Sequence, residues 1–169
     1  MTDESRLQIA CKQIQEARRY TLTLLEELSD EDCFRQPAEV TTHIAWQVGH
    51  LAMAEYGLCL FRIRGRRPED LDLMSSKFRK QFSRGSTPKS EPSIYPSPAE
   101  IRSVFDRVHE QAMAELSDCS EQNLDETIDE PYAVYNTKLG ALFFCAHHEM
   151  LHAGQIGLLR RLLGKPPVR

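Results

Sequence analysis

The chain has 169 residues, 41% of them hydrophobic and 27% charged, which is typical of a globular protein and disfavours a disordered one. Its formal net charge of −4 does not favour a general nucleic-acid-binding protein, and no apolar run reaches the roughly 18 residues of a membrane span. Five scattered cysteines without a Cys-x-x-Cys motif favour reduced thiols, so we expect one cytoplasmic domain over residues 1–169.

Apolar residues at alternating spacings of three and four predict four long helices. The first spans about 5–28 and is broken by the polar segment 28–32, and the second spans about 39–65. The third has the clearest start, because the run Ser97-Pro98-Ala99-Glu100 contains the residues of a capping box. The fourth spans about 137–163 and stops at a Gly-Lys-Pro-Pro run.

A segment of about 30 residues, approximately 66–96, separates the second helix from the third and is rich in Ser, Pro and Gly. A 25-residue helix is roughly 37 Å long, a distance that this segment can span, so the two helices it joins can run parallel. The other links are shorter and favour antiparallel neighbours. We therefore predict an all-α four-helix bundle in up-down-down-up order, with a long crossover between helices two and three.

The fourth helix carries His148 and His152, which are four residues apart and therefore lie on one helix face, about 5–6 Å from each other. Two imidazoles at this spacing can bind one metal ion without distorting the helix, as they do in zinc proteases. The same face carries apolar residues, so the pair is expected at the core, where ring nitrogens need partners. The alternatives are a hydrogen-bonded core pair and a half-exposed pair, each without a metal.

A third ligand is expected from another helix, with His43, His50 and His109 as candidates. His50 shares a face with apolar residues and is favoured. His109 is flanked by charged residues and is expected to be exposed to solvent. His43 precedes His50 by two helical turns, about 10 Å, which is too far to share an ion but close enough to line the mouth of the site.

Other residues of the fourth helix have weaker functional indications. Cys145 lies one turn before His148 and is either a fourth ligand that would close the site or a small buried residue. Gln155 is a candidate for orienting a ligand or a bound water, and Glu149 is a weaker candidate for the same role. His147 points to the opposite face, where we expect packing or an interface.

Three motifs resemble the DinB-like (damage-inducible) family, also called DinB/YfiT-like metalloenzymes: the run 44–51, the run His148-x-x-x-His152-Ala-Gly-Gln-Ile, and the tail 159–164. The resemblance implies an up-down-down-up bundle with a divalent metal, often zinc or nickel, on three histidines that correspond here to His50, His148 and His152. It also implies homodimers. Some members are transferases or isomerases that use a low-molecular-weight thiol such as bacillithiol or mycothiol, and many others are assigned only as metal-dependent hydrolases.

Two functions follow as hypotheses. The first is a metal-dependent enzyme acting on a small-molecule substrate, with a metal-activated water or thiol as the nucleophile. The second is a non-catalytic helical bundle that binds a metal or a small ligand. A di-iron bundle is disfavoured, because it needs two Glu-x-x-His motifs and the chain has one, Glu149-x-x-His152.

Overall fold

The computed structural model describes residues 4–129 and 134–168, and within these ranges its regular secondary structure is helical, without a strand. A single isolated bridge joins Thr127 and Thr137. The prediction of an all-α protein is therefore confirmed. No helix in the described part of the chain is both long enough and apolar enough to cross a lipid bilayer.

The α-helices in chain order are α1 (Arg6–Leu25), α2 (Asp30–Phe34), α3 (Ile44–Glu55), α4 (Arg62–Arg64), α5 (Asp70–Leu73), α6 (Ser76–Gln81), α7 (Pro98–Ser117) and α8 (Lys138–Leu162). A π-helical segment, Tyr56–Phe61, joins α3 to α4 without a break, so these two helices form one long rod. Two short 3₁₀ turns, Pro92–Ile94 and Glu121–Asp125, precede and follow α7.

Three long helices begin where the sequence predicts. The side chains of Ser5 and Ser97 cap α1 and α7, each as part of a capping box, and that of Thr137 caps α8. Each hydroxyl accepts a backbone N–H that the first turn would otherwise leave without a partner. Helix α1 ends three residues earlier than predicted, in a turn that places Glu27 at a positive φ of 60°.

The predicted start of the second long helix is wrong. Helix α3 begins at Ile44 and not near 39, because the side chain of His43 serves as its cap and accepts the N–H of Trp46 at 3.2 Å. Its end is as predicted, since Gly65 has a φ of 80° that stops the rod at Arg64. The segment predicted only as a break contains α2, which has its own capping box.

The crossover between Arg64 and Pro98 is partly helical, because it contains α5, α6 and a 3₁₀ turn. Two of its aromatic residues, Phe78 and Phe82, are buried and contact each other with ring centroids 4.5 Å apart. The ring of Phe82 lies against Gly49 of α3, where a Cβ atom would come within 2.4 Å of it. Gly49 therefore allows the crossover to pack directly on the α3 backbone.

Helix α1 packs mainly along α8, and α3 packs mainly along α7, with α3 and α8 also in contact. The apolar residues between these four helices form one core cluster. The buried apolar area favours the folded state by the usual hydrophobic term, about 25 cal/mol per Å². This arrangement brings one face of α3 against one face of α8.

An ionic cluster lies inside this core. Arg18 of α1 donates to Glu55 at 2.6 Å, to Glu149 at 2.9 Å and to the carbonyl of Phe105 at 3.0 Å, with its guanidinium 3.3 Å from the Phe105 ring centroid. His109 completes the cluster by donating from Nδ1 to Glu55 at 2.7 Å. The expectation that His109 is exposed is therefore wrong, because its ring turns towards a carboxylate of the neighbouring helix.

Candidate metal centre

Three histidines converge between α3 and α8. His50 and the pair His148 and His152 each offer a ring nitrogen, and these atoms all lie within 4.8 Å of one another. The ring of His50 is 5.3 Å from that of His148 and 4.8 Å from that of His152, measured between centroids. The sequence prediction that His50 meets the pair on α8 is thus matched by the geometry, and the group is one that could hold a metal ion.

Hydrogen bonds at Nδ1 leave Nε2 available in two of the rings. His50 donates from Nδ1 to the backbone carbonyl of Phe82 at 2.8 Å, and a carbonyl oxygen can only accept. His152 donates from Nδ1 to Oε1 of Gln47, whose amide nitrogen in turn donates to the hydroxyl of Thr42 at 2.9 Å. Each Nε2 therefore carries a lone pair, and outer bonds of this kind orient metal-binding histidines.

Burial keeps the three rings neutral. It lowers the pKa of His148 to about 4 and that of His152 to about 3, with the neighbouring histidines adding to the effect. Burial also lowers the pKa of His50, although its hydrogen bond to Phe82 acts in the opposite direction. Neutral imidazole is the form that binds a metal, so at neutral pH these side chains need not lose a proton first.

The spacing of the donor atoms fits a single ion. Nε2 of His148 and Nε2 of His152 are 3.2 Å apart. Two nitrogens about 2.0–2.1 Å from one zinc ion at the tetrahedral angle would be about 3.3 Å apart. The donor set of three imidazoles suits zinc or nickel and leaves at least one coordination position open.

A pocket of about 620 Å³ opens beside the three histidines. Its lining is mostly apolar and comes from α3, the π-helical segment, the crossover and α8: Trp46, His50, Met53, Ala54, Gly57, Leu58, Arg62, Ser83, Arg84, Phe144, His148, His152 and Gln155. Trp46 stacks on the ring of His50 at a centroid distance of 4.8 Å and an interplanar angle of 9°, and it donates from Nε1 to Ser86 at 3.0 Å. The site therefore has room for a small-molecule ligand.

The structure places the other candidates differently. His43 is fully buried between the rings of Phe34 and Tyr95, with centroid distances of 5.5 and 5.3 Å, and it does not line the pocket. The expectation that His43 lines the mouth of the site is therefore wrong, because this ring caps α3. Gln155 does line the pocket, and its role in orienting a ligand stays a prediction.

Cys145 lies beside Cys59 in the core and not with the histidines. Together with Glu55 these two cysteines form a second group whose ligand atoms lie within 4.8 Å of one another. The hydrogen bond with Cys59 and burial raise the pKa of Cys145 well above its ordinary value, so the thiol is protonated.

Glu149 is bound to Arg18 and points away from the pocket lining, and His147 is exposed.

Two groups that support the site were missed from sequence, the amide of Gln47 and the carbonyl of Phe82. Gln47 lies three residues before His50 and so on the same side of α3, a spacing that could have indicated it. Nothing in the sequence signals Phe82, because its contribution is a backbone oxygen whose position depends on how the crossover folds.

Fold and site together define a helical protein in which two helices bring three histidines to one position beside an open pocket. The chain belongs to the DinB superfamily, whose family model matches residues 13–156, and this confirms the resemblance seen in the motifs. A crystal structure of a conserved protein from Enterococcus faecalis is similar over 94% of this chain and 97% of that chain, with a TM-score of 0.62 and 18% sequence identity, which shows a shared fold. No curated protein matches this chain.

Proposed function

We propose that the protein is a metal-dependent enzyme that holds one divalent ion, zinc or nickel, on His50, His148 and His152 and uses it to activate a water or a low-molecular-weight thiol. The observation that carries the proposal is the convergence of the three ring nitrogens within 4.8 Å at the edge of a pocket. A purely structural site would use a fourth protein ligand, and the described residues offer no fourth Cys, His, Asp or Glu to this group.

Each residue of the site has a role in this proposal. Gln47 and the carbonyl of Phe82 accept hydrogen bonds from Nδ1 of two imidazoles and would thereby keep the two Nε2 atoms available to the ion. Trp46 and Phe144 form walls that limit the access of water. When bound, the ion supplies a Lewis acid that lowers the pKa of a coordinated water or thiol. Gln155 lines the pocket, and in this proposal it orients the substrate or the nucleophile.

The pocket favours thiol transfer over hydrolysis. Among the described residues that line it there is no Asp or Glu, and the three histidines are occupied as ligands, so no side chain there is suited to take a proton from water. A thiol needs less assistance, because coordination to a metal is enough to deprotonate it. We therefore rank a thiol-dependent transferase ahead of a hydrolase, with a non-catalytic metal- or ligand-binding bundle as the alternative.

The test begins with the metal content of the purified protein, measured by elemental mass spectrometry. We expect about one zinc or nickel per chain in the wild type and a large loss in His50→Ala and His148→Ala. His147→Ala is the matched control, because this residue is adjacent to His148 but exposed and outside the pocket. Equal metal content in all four proteins would contradict the ligand assignment.

Activity separates the two catalytic hypotheses from the binding module. Metal-loaded and chelator-stripped protein would be assayed for transfer of a low-molecular-weight thiol to an electrophilic aromatic halide, and for hydrolysis of an activated ester without thiol. Thiol-dependent turnover that requires the metal supports the transferase. Turnover without thiol supports the hydrolase, and full metal occupancy with no turnover in either assay favours the non-catalytic bundle.

The proposal also covers assembly and location. We propose that the chain forms one domain with helices in up-down-down-up order, and that it is a homodimer in the cytoplasm. Support for the bundle comes from the pairing of α1 with α8 and of α3 with α7. Support for the homodimer comes from α8, where Leu151, Leu158 and Leu162 are 64%, 43% and 39% exposed and are spaced by seven and four residues, which places them on one helix face. A second copy packed on this face would bury all three.

A further inference from the structure

The pocket beside the three histidines has one cationic side chain, Arg62, that no carboxylate of its described lining offsets. Most of the remaining wall is apolar, with Met53, Leu58 and Phe144 as its larger members. A cationic, partly enclosed cavity with apolar walls attracts and retains an anion that carries an apolar body.

Arg62 is held in place by the protein but has no anionic partner within residues 4–129 and 134–168. Its Nη1 donates to the carbonyl of Gly57 at 3.1 Å, while its Nε–H is buried and has no hydrogen-bond acceptor. No carboxylate among the described residues pairs with it, in contrast to the neighbouring Arg64, which binds both Asp70 and Glu115. Because Arg62 lines the pocket, its charge is available within the described part of the chain to pair with an anion that enters there.

The π-helical segment explains why Arg62 reaches the pocket. Its hydrogen bonds run from residue i+5 to residue i, and the N–H of Arg62 accordingly donates to the carbonyl of Gly57. This wider turn stacks position 62 above position 57, so both residues line the pocket. π-helical turns are rare and frequently occur at functional sites, which agrees with a role in binding.

We propose that the pocket binds a small amphipathic carboxylate, with the carboxylate on the guanidinium of Arg62 and the apolar body against Met53, Leu58 and Phe144. Arginine suits this ligand, because its planar fork matches the geometry of a carboxylate. The placement of the substrate's reacting group near the histidines rests on the proposed function, whereas the binding of the carboxylate to Arg62 does not. Arg62 is thus a specificity-determining residue.

The test compares 4-phenylbutyrate with its neutral analogue 4-phenylbutyramide by isothermal titration calorimetry. Fluorescence reports where the ligand binds, because Trp46 is the only tryptophan of the chain and lines the pocket. Wild type, Arg62→Gln, Arg62→Lys and Arg66→Gln would be measured. Arg66→Gln is the matched control, since it removes the same charge from an exposed position outside the pocket.

We expect the wild type to bind the carboxylate about tenfold or more tightly than the amide, with a change in Trp46 fluorescence. Arg62→Gln should lose this preference, Arg62→Lys should keep part of it, and Arg66→Gln should keep it fully. Circular dichroism would verify that each variant is folded. Equal binding of acid and amide by the wild type, or equal losses in Arg62→Gln and Arg66→Gln, would overturn the proposal.

The same titrations on chelator-stripped protein keep this proposal separate from that of the metal centre. If the wild type contains no metal but still prefers the carboxylate through Arg62, the anion site is supported and the proposed function is not. If the protein binds metal but shows no preference for the carboxylate, the metal centre is supported and the inference about Arg62 is overturned.

Discussion

Replacing Arg18 by Met should be among the most destabilising single changes in this protein. The side chain of Arg18 is 4% exposed, and its guanidinium bridges Glu55 and Glu149, whose side chains are 1% and 3% exposed. Removing it leaves two carboxylates in the core without a cation. Breaking a buried ion pair from one side costs about 3–5 kcal/mol, and the loss of the hydrogen bond to the Phe105 carbonyl acts in the same direction.

The adjacent Arg19 provides a matched control. It is on the same helix and pairs with Glu16, but both side chains are largely exposed, at 75% and 64%. A surface pair contributes about 0–1 kcal/mol, so Arg19→Met should change stability by no more than that. Urea unfolding followed by circular dichroism and by the fluorescence of Trp46 gives the free energy of unfolding of the wild type and of both variants.

The dependence on pH tests the electrostatic origin of the effect. Burial already raises the pKa of Glu149, and the loss of Arg18 removes the group that opposes this shift. In Arg18→Met, Glu149 therefore takes up a proton on folding. The variant's free energy of unfolding should be lower than that of the wild type at pH 7, and this difference should shrink as the pH falls towards 5. A second change, Glu149→Gln, should recover part of the loss. Similar small losses in Arg18→Met and Arg19→Met would refute the reasoning.

Three further predictions concern the site and its supports. Gln47→Leu removes the acceptor for His152 and should weaken zinc binding about 10–100-fold in a chelator competition, with the fold retained. Gly49→Ala places a Cβ atom against the crossover and should cost about 1–3 kcal/mol in urea unfolding, whereas Gly154→Ala, with open space around its Cβ, should cost much less. Asp32→Asn removes a carboxylate whose pKa is lowered to about 2 by Lys165 and by the cap at the start of α2. Because that pKa lies below its unfolded value, the variant should be about 1–2 kcal/mol less stable at pH 7, and the difference should vanish as the pH falls from 4 towards 2.

The assembly prediction is tested by light scattering after size-exclusion chromatography. Leu158→Lys places a charge in the exposed apolar face of α8 and should convert a dimer to a monomer. Leu71→Lys is the control, because Leu71 is 50% exposed but lies on the short helix α5, far along the chain from that face. A wild-type monomer, or a dimer that persists in Leu158→Lys, would contradict this interface.

Much of the fold could be predicted because its signals are local. The caps at Ser97 and Thr137 and the stop at Gly65 lie in the few residues that they control, so the sequence locates them well. The sequence predicts the start of α3 too early, because His43 is an uncommon cap and the residues before it are compatible with a helix. The short helices of the crossover give no periodic signal, since they have only four and six residues.

The candidate site likewise contains residues that the sequence can indicate and contacts that it cannot. The pair His148 and His152 is recognisable from its spacing, and His50 from its apolar face together with the family resemblance. The charged sequence neighbours of His109 predict exposure to solvent, but its contact with Glu55 depends on how α7 packs on α3. Contacts between distant segments, such as the hydrogen bond between Gln47 and His152 across 105 residues, have no counterpart in local sequence.

The crossover has a consequence for protein engineering and for divergence among relatives. Within the segment 82–86, the carbonyl of Phe82 accepts from His50 and the hydroxyl of Ser86 accepts from the indole N–H of Trp46. Ser83 and Arg84 of the same segment line the pocket. This segment of five residues thus supports both the proposed metal centre and the pocket. Replacing this segment by that of another superfamily member should alter metal affinity and ligand preference together. We therefore expect that these two properties cannot change independently in this protein.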